Sequence, residues 1–263
     1  VTTVHDVDPH PGDSDTRRLP LWAPRLMIRQ SQHLVVHGEG LKRAVVQRYS
    51  KPADHVHVLS HPVIRRYAEL AGRQDIKRKT GDRAFRLLMF GRIFAYKGLE
   101  FLIRAEAELA NSLPDLRVTI AGRGDDPRMF SALMGNPGNY DIRNRFIDDA
   151  EVAQLFVDAD AVVLPYTEAS QSGMLNVAAS FGKPVIATDV GELGSTVRSN
   201  RLGIVVPPKN VQQLADAIRT LTRNRELRQS FAASSLEWAS GPNSPELVGA
   251  RAAAIYREVV GAC

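Results

Sequence analysis

Short apolar runs alternate with longer stretches of helical periodicity along most of the chain, which predicts a parallel sheet wrapped by helices. From residue 85 the alternation is regular. It predicts strands at 85–90, 116–121, 142–147, 161–164, 184–188 and 203–206. Helices are predicted between them at 97–112, 127–134, 150–158, 173–181 and 193–199. Two more follow at 211–223 and 225–239, and a last one at 245–260 after Gly241 and Pro242.

Before residue 80 the pattern is thinner. It predicts strands at 1–4, 33–36 and 56–59, a helix at 41–49, and an earlier helix with Trp22, Leu26 and Met27 on one face. A loop rich in Asp, Pro and Gly covers 6–15, and the polar, basic stretch 73–84 reads as a linker. Three strands fall short of a doubly wound domain, which needs about 100 residues or more. An N-terminal portion is therefore expected to be missing. The expected division is a partial first unit at 1–80, a complete Rossmann-like unit at 81–242, and a terminal helix at 243–263 that crosses back to the first unit.

The composition, 44% hydrophobic and 24% charged over 263 residues, is that of a globular protein. The single cysteine, Cys263, points to a reducing compartment, the cytoplasm or the inner face of its membrane. The opening residues lack the basic-then-apolar pattern of a signal peptide. The net charge of +5 suits polyanionic small ligands or a phospholipid surface. Nucleic acid is disfavoured, because Lys and Arg are scattered and no zinc, helix-turn-helix or aromatic-strand motif is present.

Three loops between a strand and a helix carry candidate chemistry. Residues 91–98 (GRIFAYKG) place Arg92 and Lys97 beside an expected helix N-terminus, where backbone N–H groups favour anions. The alternative for this pair is an ordinary solvated loop. Residues 122–126 (GRGDD) contain a Gly-x-Gly, and their carboxylates, like Asp148 and Asp149, read as helix caps ahead of a metal site. Residues 165–173 (PYTEASQSG) bring hydroxyls, an amide and Gly173 to the start of an apolar helix, with Ser170 or Ser172 as its cap. Glu168 meets either a sugar hydroxyl or solvent.

Taken in order, the motifs GRIFAYKGLEFLI, LRVTIAGRG, ADAVVLPY, FGKPVIATDVGEL and LGIVVPPKNVQQLADAI resemble the retaining, group 1 (family 4-like) glycosyltransferases of the GT-B fold. The resemblance covers residues 85–260, and TVHDVDPH, LVVHGEGLKRAVVQRY and VHVLSHPV look like the end of that family's acceptor domain. It implies an α/β fold of two Rossmann-like units and transfer, with retention, from a nucleotide diphosphate sugar to a glycan or lipid-linked acceptor. It assigns Arg92, Lys97, Ser172 and Gly173 to the donor diphosphate. Gly91, Gly122, Phe146, Ile147, Ser170, Gln171 and Asn176 fall near the donor sugar or nucleotide, and His5 and Glu168 near the reacting centre. Neither a metal nor another cofactor is implied. Peripheral membrane association fits the lipid-linked acceptors.

One departure is plain. Many members carry two Glu in this helix unit, and the second falls here at Asn176 or Val177, so that carboxylate is absent. A nucleotide-sugar-binding protein without turnover and a sugar-nucleotide epimerase are the competing readings. A phosphorylase is disfavoured, because no Lys context suits a pyridoxal phosphate Schiff base. The chain as given is expected to bind donor without transferring its sugar.

Overall fold

The computed structural model describes residues 1–5, 20, 22–79 and 84–261. The loop expected at 6–15, residues 80–83 of the linker, and Cys263 lie outside the described residues.

Two parallel sheets organise the chain. The first joins β1 (Thr2–Val4), β2 (Leu34–Val36) and β3 (Val56–Val58), with β2 in the middle. Val4, Leu34, Val36, Val45 and Val56 form its core together with Ile28 of α1 (Trp22–Gln30). Val45 comes from α2 (Glu39–Tyr49).

The second sheet has six strands in the order β6-β5-β4-β7-β8-β9. These are β4 (Phe85–Phe90), β5 (Leu116–Ala121), β6 (Tyr140–Arg143), β7 (Ala161–Leu164), β8 (Val185–Thr188) and β9 (Gly203–Val206). Helices cover both faces. Leu87 and Val118 turn to α4 (Leu99–Leu109) and α8 (Val211–Arg223). Leu88 and Val162 turn to α5 (Asp149–Asp158), α6 (Gly173–Ser180) and α7 (Gly191–Ser199). Strands buried on both faces read as continuous apolar runs rather than alternating ones, and 161–164 is buried at every position. Each fully buried Leu or Val there contributes about 1.5–3 kcal/mol relative to exposure. The chain closes with α9 (Arg225–Ser240) and α10 (Pro245–Gly261).

Several expectations need correction. The strand expected at 142–147 spans Tyr140–Arg143 instead. The Tyr140 hydroxyl donates to the buried Glu106 carboxylate at 2.8 Å and anchors the strand two residues early. Phe146 and Ile147 fall in the loop beyond it. The helix expected from Lys97 begins at Leu99, because Gly98 interrupts it with φ of 70°. Residues 127–133 wind as 3₁₀ rather than α-helix. A helix unseen in the sequence, α3 (Arg66–Arg73), precedes the linker and packs on α5.

Candidate functional site

The strand order reverses between β4 and β7, whose loops run in opposite senses along the sheet. Open α/β sheets bind ligands at the carboxyl ends of their strands at such a switch point. The loops that meet there are 91–98 and 165–172. They are bonded to each other, with Thr167 N–H donating to the Tyr96 carbonyl at 2.8 Å. A Cβ on Gly98 would collide with the Pro165 carbonyl, and the positive φ there also favours glycine.

Lys97 is half-buried in this joint. Its Nζ lies 3.8 Å from the centroid of the Tyr166 ring and 4.9 Å from that of Tyr96. Burial pushes the ammonium below the ordinary lysine range; Tyr96 opposes the shift and Arg92 adds to it. Tyr166 is buried, and burial raises its phenol to about 12. Its hydroxyl lies 3.1 Å from Ser172 Oγ. Ser172 holds the N-cap position of α6 but makes no side-chain cap bond, and Gly173 opens the helix exposed. The first backbone N–H groups of α6 thus have no side-chain cap, and Tyr166 links this helix start to the Lys97 ammonium. Ser170 is partly buried in the same loop, and Glu168 is exposed at its crest.

Beyond β4, β5 and β6 lies a cleft of about 520 Å³. Gly91, Arg92, Gly122, Phe146 and Ile147 line it, together with Arg123, Arg145 and Tyr67. Gly122 has a φ of 141°, and a Cβ there would strike the Gly91 carbonyl, so the two loops forming the floor require a glycine. The Arg123 guanidinium lies 5.0 Å from the Phe146 ring centroid. Arg145 is bound to Glu151, whose carboxyl Arg145 and Arg143 hold below its usual range. The walls thus combine cations with exposed aromatic faces. Asp126 and Asp148 cap helices, accepting from Arg128 N–H at 3.0 Å and Glu151 N–H at 2.9 Å, as expected of them. Among the described residues, no group of three His, Cys, Asp or Glu is placed to hold a metal ion.

A second cavity, about 220 Å³, opens on the other side of the α6 N-terminus, between the two sheets. Gln171, Ser172 and Asn176 line it with His37, His61 and Glu192. Asn176 is buried, and its Oδ1 accepts from Asn243 Nδ2 at 3.2 Å. Asn243 also donates to the His61 carbonyl at 2.7 Å, and Arg65 pairs with Glu246 at 2.9 Å. These contacts tie the segment before α10, and α10 itself, to the chain leaving β3. His5 follows β1 and sits beside His37, with Nδ1 3.0 Å from His37 Nε2. The other nitrogen of His37 lies 2.9 Å from the Leu59 carbonyl, an acceptor, so His37 carries its proton on Nδ1.

Sequence reasoning missed Tyr166, Arg123, Arg145, Tyr67 and His37. Tyr166 lies in the singled-out loop 165–173 but was not chosen from it. The arginines read as surface charge. Tyr67 belongs to α3, whose pattern was not recognised. His37 leaves one signal, its position directly after β2, a strand end that faces the cleft.

A model of the glycosyl transferases, group 1, matches residues 84–224. The chain is 27% identical over 248 residues to the alpha-D-kanosaminyltransferase of Streptomyces kanamyceticus, covering 90% of this chain and 63% of that protein. It is 31% identical over 185 residues to a D-inositol 3-phosphate glycosyltransferase of an Arthrobacter species, covering 67% of this chain and 44% of that one. The chain thus spans less than two thirds of the length of these relatives. In fold it is similar to sucrose-phosphate synthase from Thermosynechococcus elongatus, with a TM-score of 0.75 at 19% identity, covering 95% of this chain and 63% of that one. It is also similar to Anabaena Alr3699/HepE in complex with UDP-glucose, with a TM-score of 0.76 at 18% identity over 97% of this chain and 71% of that one. The two parallel sheets, the switch point and the matched segment lead to one assignment: this chain has the GT-B fold and belongs to the group 1 glycosyltransferases.

Proposed function

We propose that the chain binds a nucleotide diphosphate sugar and serves its transfer, with retention, to a glycan or lipid-linked acceptor. The observation that carries this reading is the convergence at one switch point of Lys97, the α6 N-terminus without a side-chain cap, and an Arg-lined aromatic cleft. An aromatic wall suits a nucleobase, and the cations and helix N-terminus suit its diphosphate. The UDP-glucose complex of a fold neighbour supports the same ligand class.

In this reading the bond between the sugar C1 and the diphosphate oxygen breaks as negative charge builds on the leaving nucleotide. Arg92, Lys97, Ser172 and Gly173 stabilise that charge where it develops, which lowers the barrier without a metal ion. Gly91, Gly122, Phe146 and Ile147 border the nucleotide. Ser170, Gln171 and Asn176 lie towards the sugar. His5, held by His37, and Glu168 are the candidate groups of the reacting centre in this reading. Calorimetric titration with UDP tests the donor site. Arg92→Ala and Lys97→Ala should each weaken binding by about 1.5–3 kcal/mol, the contribution of a charged hydrogen bond. Unchanged affinity in both variants overturns the assignment. Retention is read from the anomeric coupling of any transferred sugar.

A further inference from the structure

The most tightly organised feature of the switch point is one that diphosphate binding does not require directly. Tyr166 is a buried side chain that touches two of the proposed diphosphate groups at once. Its ring face lies under the Lys97 ammonium at 3.8 Å, and its hydroxyl meets Ser172 Oγ at 3.1 Å. The backbone around it is pinned on both sides. Thr188 Oγ1 donates to the Tyr166 carbonyl at 2.6 Å, and Thr167 N–H donates to the Tyr96 carbonyl at 2.8 Å.

We infer that Tyr166 is a positioning residue of the donor site, holding Lys97 and Ser172 in the register that a diphosphate needs. The inference rests on the donor reading above and adds to it the element that sets the geometry. A lysine is a flexible point charge, and ordering its stem costs rotamer entropy whenever it must meet a ligand. A π face under the ammonium removes much of that freedom before the ligand arrives, and its quadrupole favours the charged form in a partly desolvated place. The hydroxyl acts on the second group. When the Tyr166 O–H donates to Ser172 Oγ, the serine hydrogen is released to donate to a ligand oxygen.

A double-mutant cycle on the full chain, with UDP as the probe and uridine as the control without phosphates, tests the inference. Lys97→Ala is expected to weaken UDP binding roughly tenfold or more. Tyr166→Leu is expected to approach that loss, to leave uridine binding unchanged, and to make Lys97→Ala nearly silent when the two are combined. Tyr166→Phe keeps the ring and should retain most of the affinity, losing only the serine contact.

The pH profile supplies a readout that a purely structural role would not move. UDP affinity falls as pH rises through the Lys97 titration. Besides Tyr166, the groups acting on Lys97 are Tyr96 and Arg92, and these are kept in every variant. Leucine keeps the place apolar but removes the π face that favours the ammonium, so the alkaline limb should move to lower pH in Tyr166→Leu and stay in place in Tyr166→Phe. If Tyr166→Leu fails to fold, Tyr166→Met carries the same test. Additive losses in the cycle, or an unmoved alkaline limb in the leucine or methionine variant, overturn the inference and leave the donor reading intact. No effect of Lys97→Ala alone overturns the inference, and no effect of Arg92→Ala as well overturns the donor reading itself.

Discussion

Gln171 Nε2 donates to the main-chain carbonyl of His37 at 2.6 Å, joining the loop after β7 of the large sheet to the residue that follows β2 of the small one. Beside it, Glu192 of α7 accepts from Leu41 N–H in the first turn of α2 at 3.2 Å. A carboxylate at a helix N-terminus is favourable. The two contacts close one side of the cleft between the sheets. Removing them in the double variant Gln171→Ala, Glu192→Ala should cost roughly 1–3 kcal/mol of apparent stability. Hydrogen exchange should speed up at the start of α2 and the end of β2, with the large sheet unchanged. Equal protection in both proteins contradicts this role.

Metal independence is a prediction of the proposed donor site, in which Arg92, Lys97 and a helix N-terminus, rather than a carboxylate cluster, meet the diphosphate charge. UDP affinity should be the same in excess EDTA as in added magnesium or manganese. A loss with chelator, restored by either ion, contradicts the proposed charge balance.

The helix α1 presents Trp22 at 64% exposure and Met27 at 57%, with Arg25 and Arg29 on the same short element. Basic helices with exposed aromatic and aliphatic side chains settle on anionic lipid, gaining about 1 kcal/mol per cation near the surface. We expect the chain to sediment with phosphatidylglycerol vesicles at low salt, and Trp22→Ser with Met27→Ser to reduce this several-fold. Equal sedimentation of wild type and variant shows that this face packs against protein instead.

Lys183 gives a pH prediction. Its Nζ donates to the Val157 and Ala159 carbonyls at 3.1 and 2.7 Å, at the end of α5. Burial lowers its ammonium to about 8, with Asp160 opposing. An unfolded lysine titrates near 10.4. Between these values the unfolded chain binds more protons than the folded one, so this residue makes stability rise with pH across that window. Below about 8 both states are charged and the cost of burying the charge is paid in full. Thermal melts between pH 8 and 10 should show a positive slope contributed by Lys183, absent in Lys183→Met. An unchanged slope in the variant removes Lys183 as its source.

The chain's own pattern determined most of the large sheet. Strands 85–90, 116–121, 161–164 and 203–206 match the structure residue for residue, because each is a short, mostly apolar run set off by turn residues, with 161–164 buried at every position. The loops after β4 and β7 also stood out, as glycines beside cations and hydroxyls at a helix start, although an ordinary solvated loop and a plain helix cap leave the same pattern. Tertiary contacts decided the rest. The start of β6 depends on a bond from Tyr140 to Glu106, 34 residues away, which no local pattern encodes. That Lys97 lies on Tyr166, across 69 residues of chain, is a consequence of β4 and β7 being neighbours at the reversal of strand order. Sequence names the residues that can bear charge or bury it. Only the folded sheet order sets which of them stand within a few ångströms, because that distance is fixed by elements far apart along the chain.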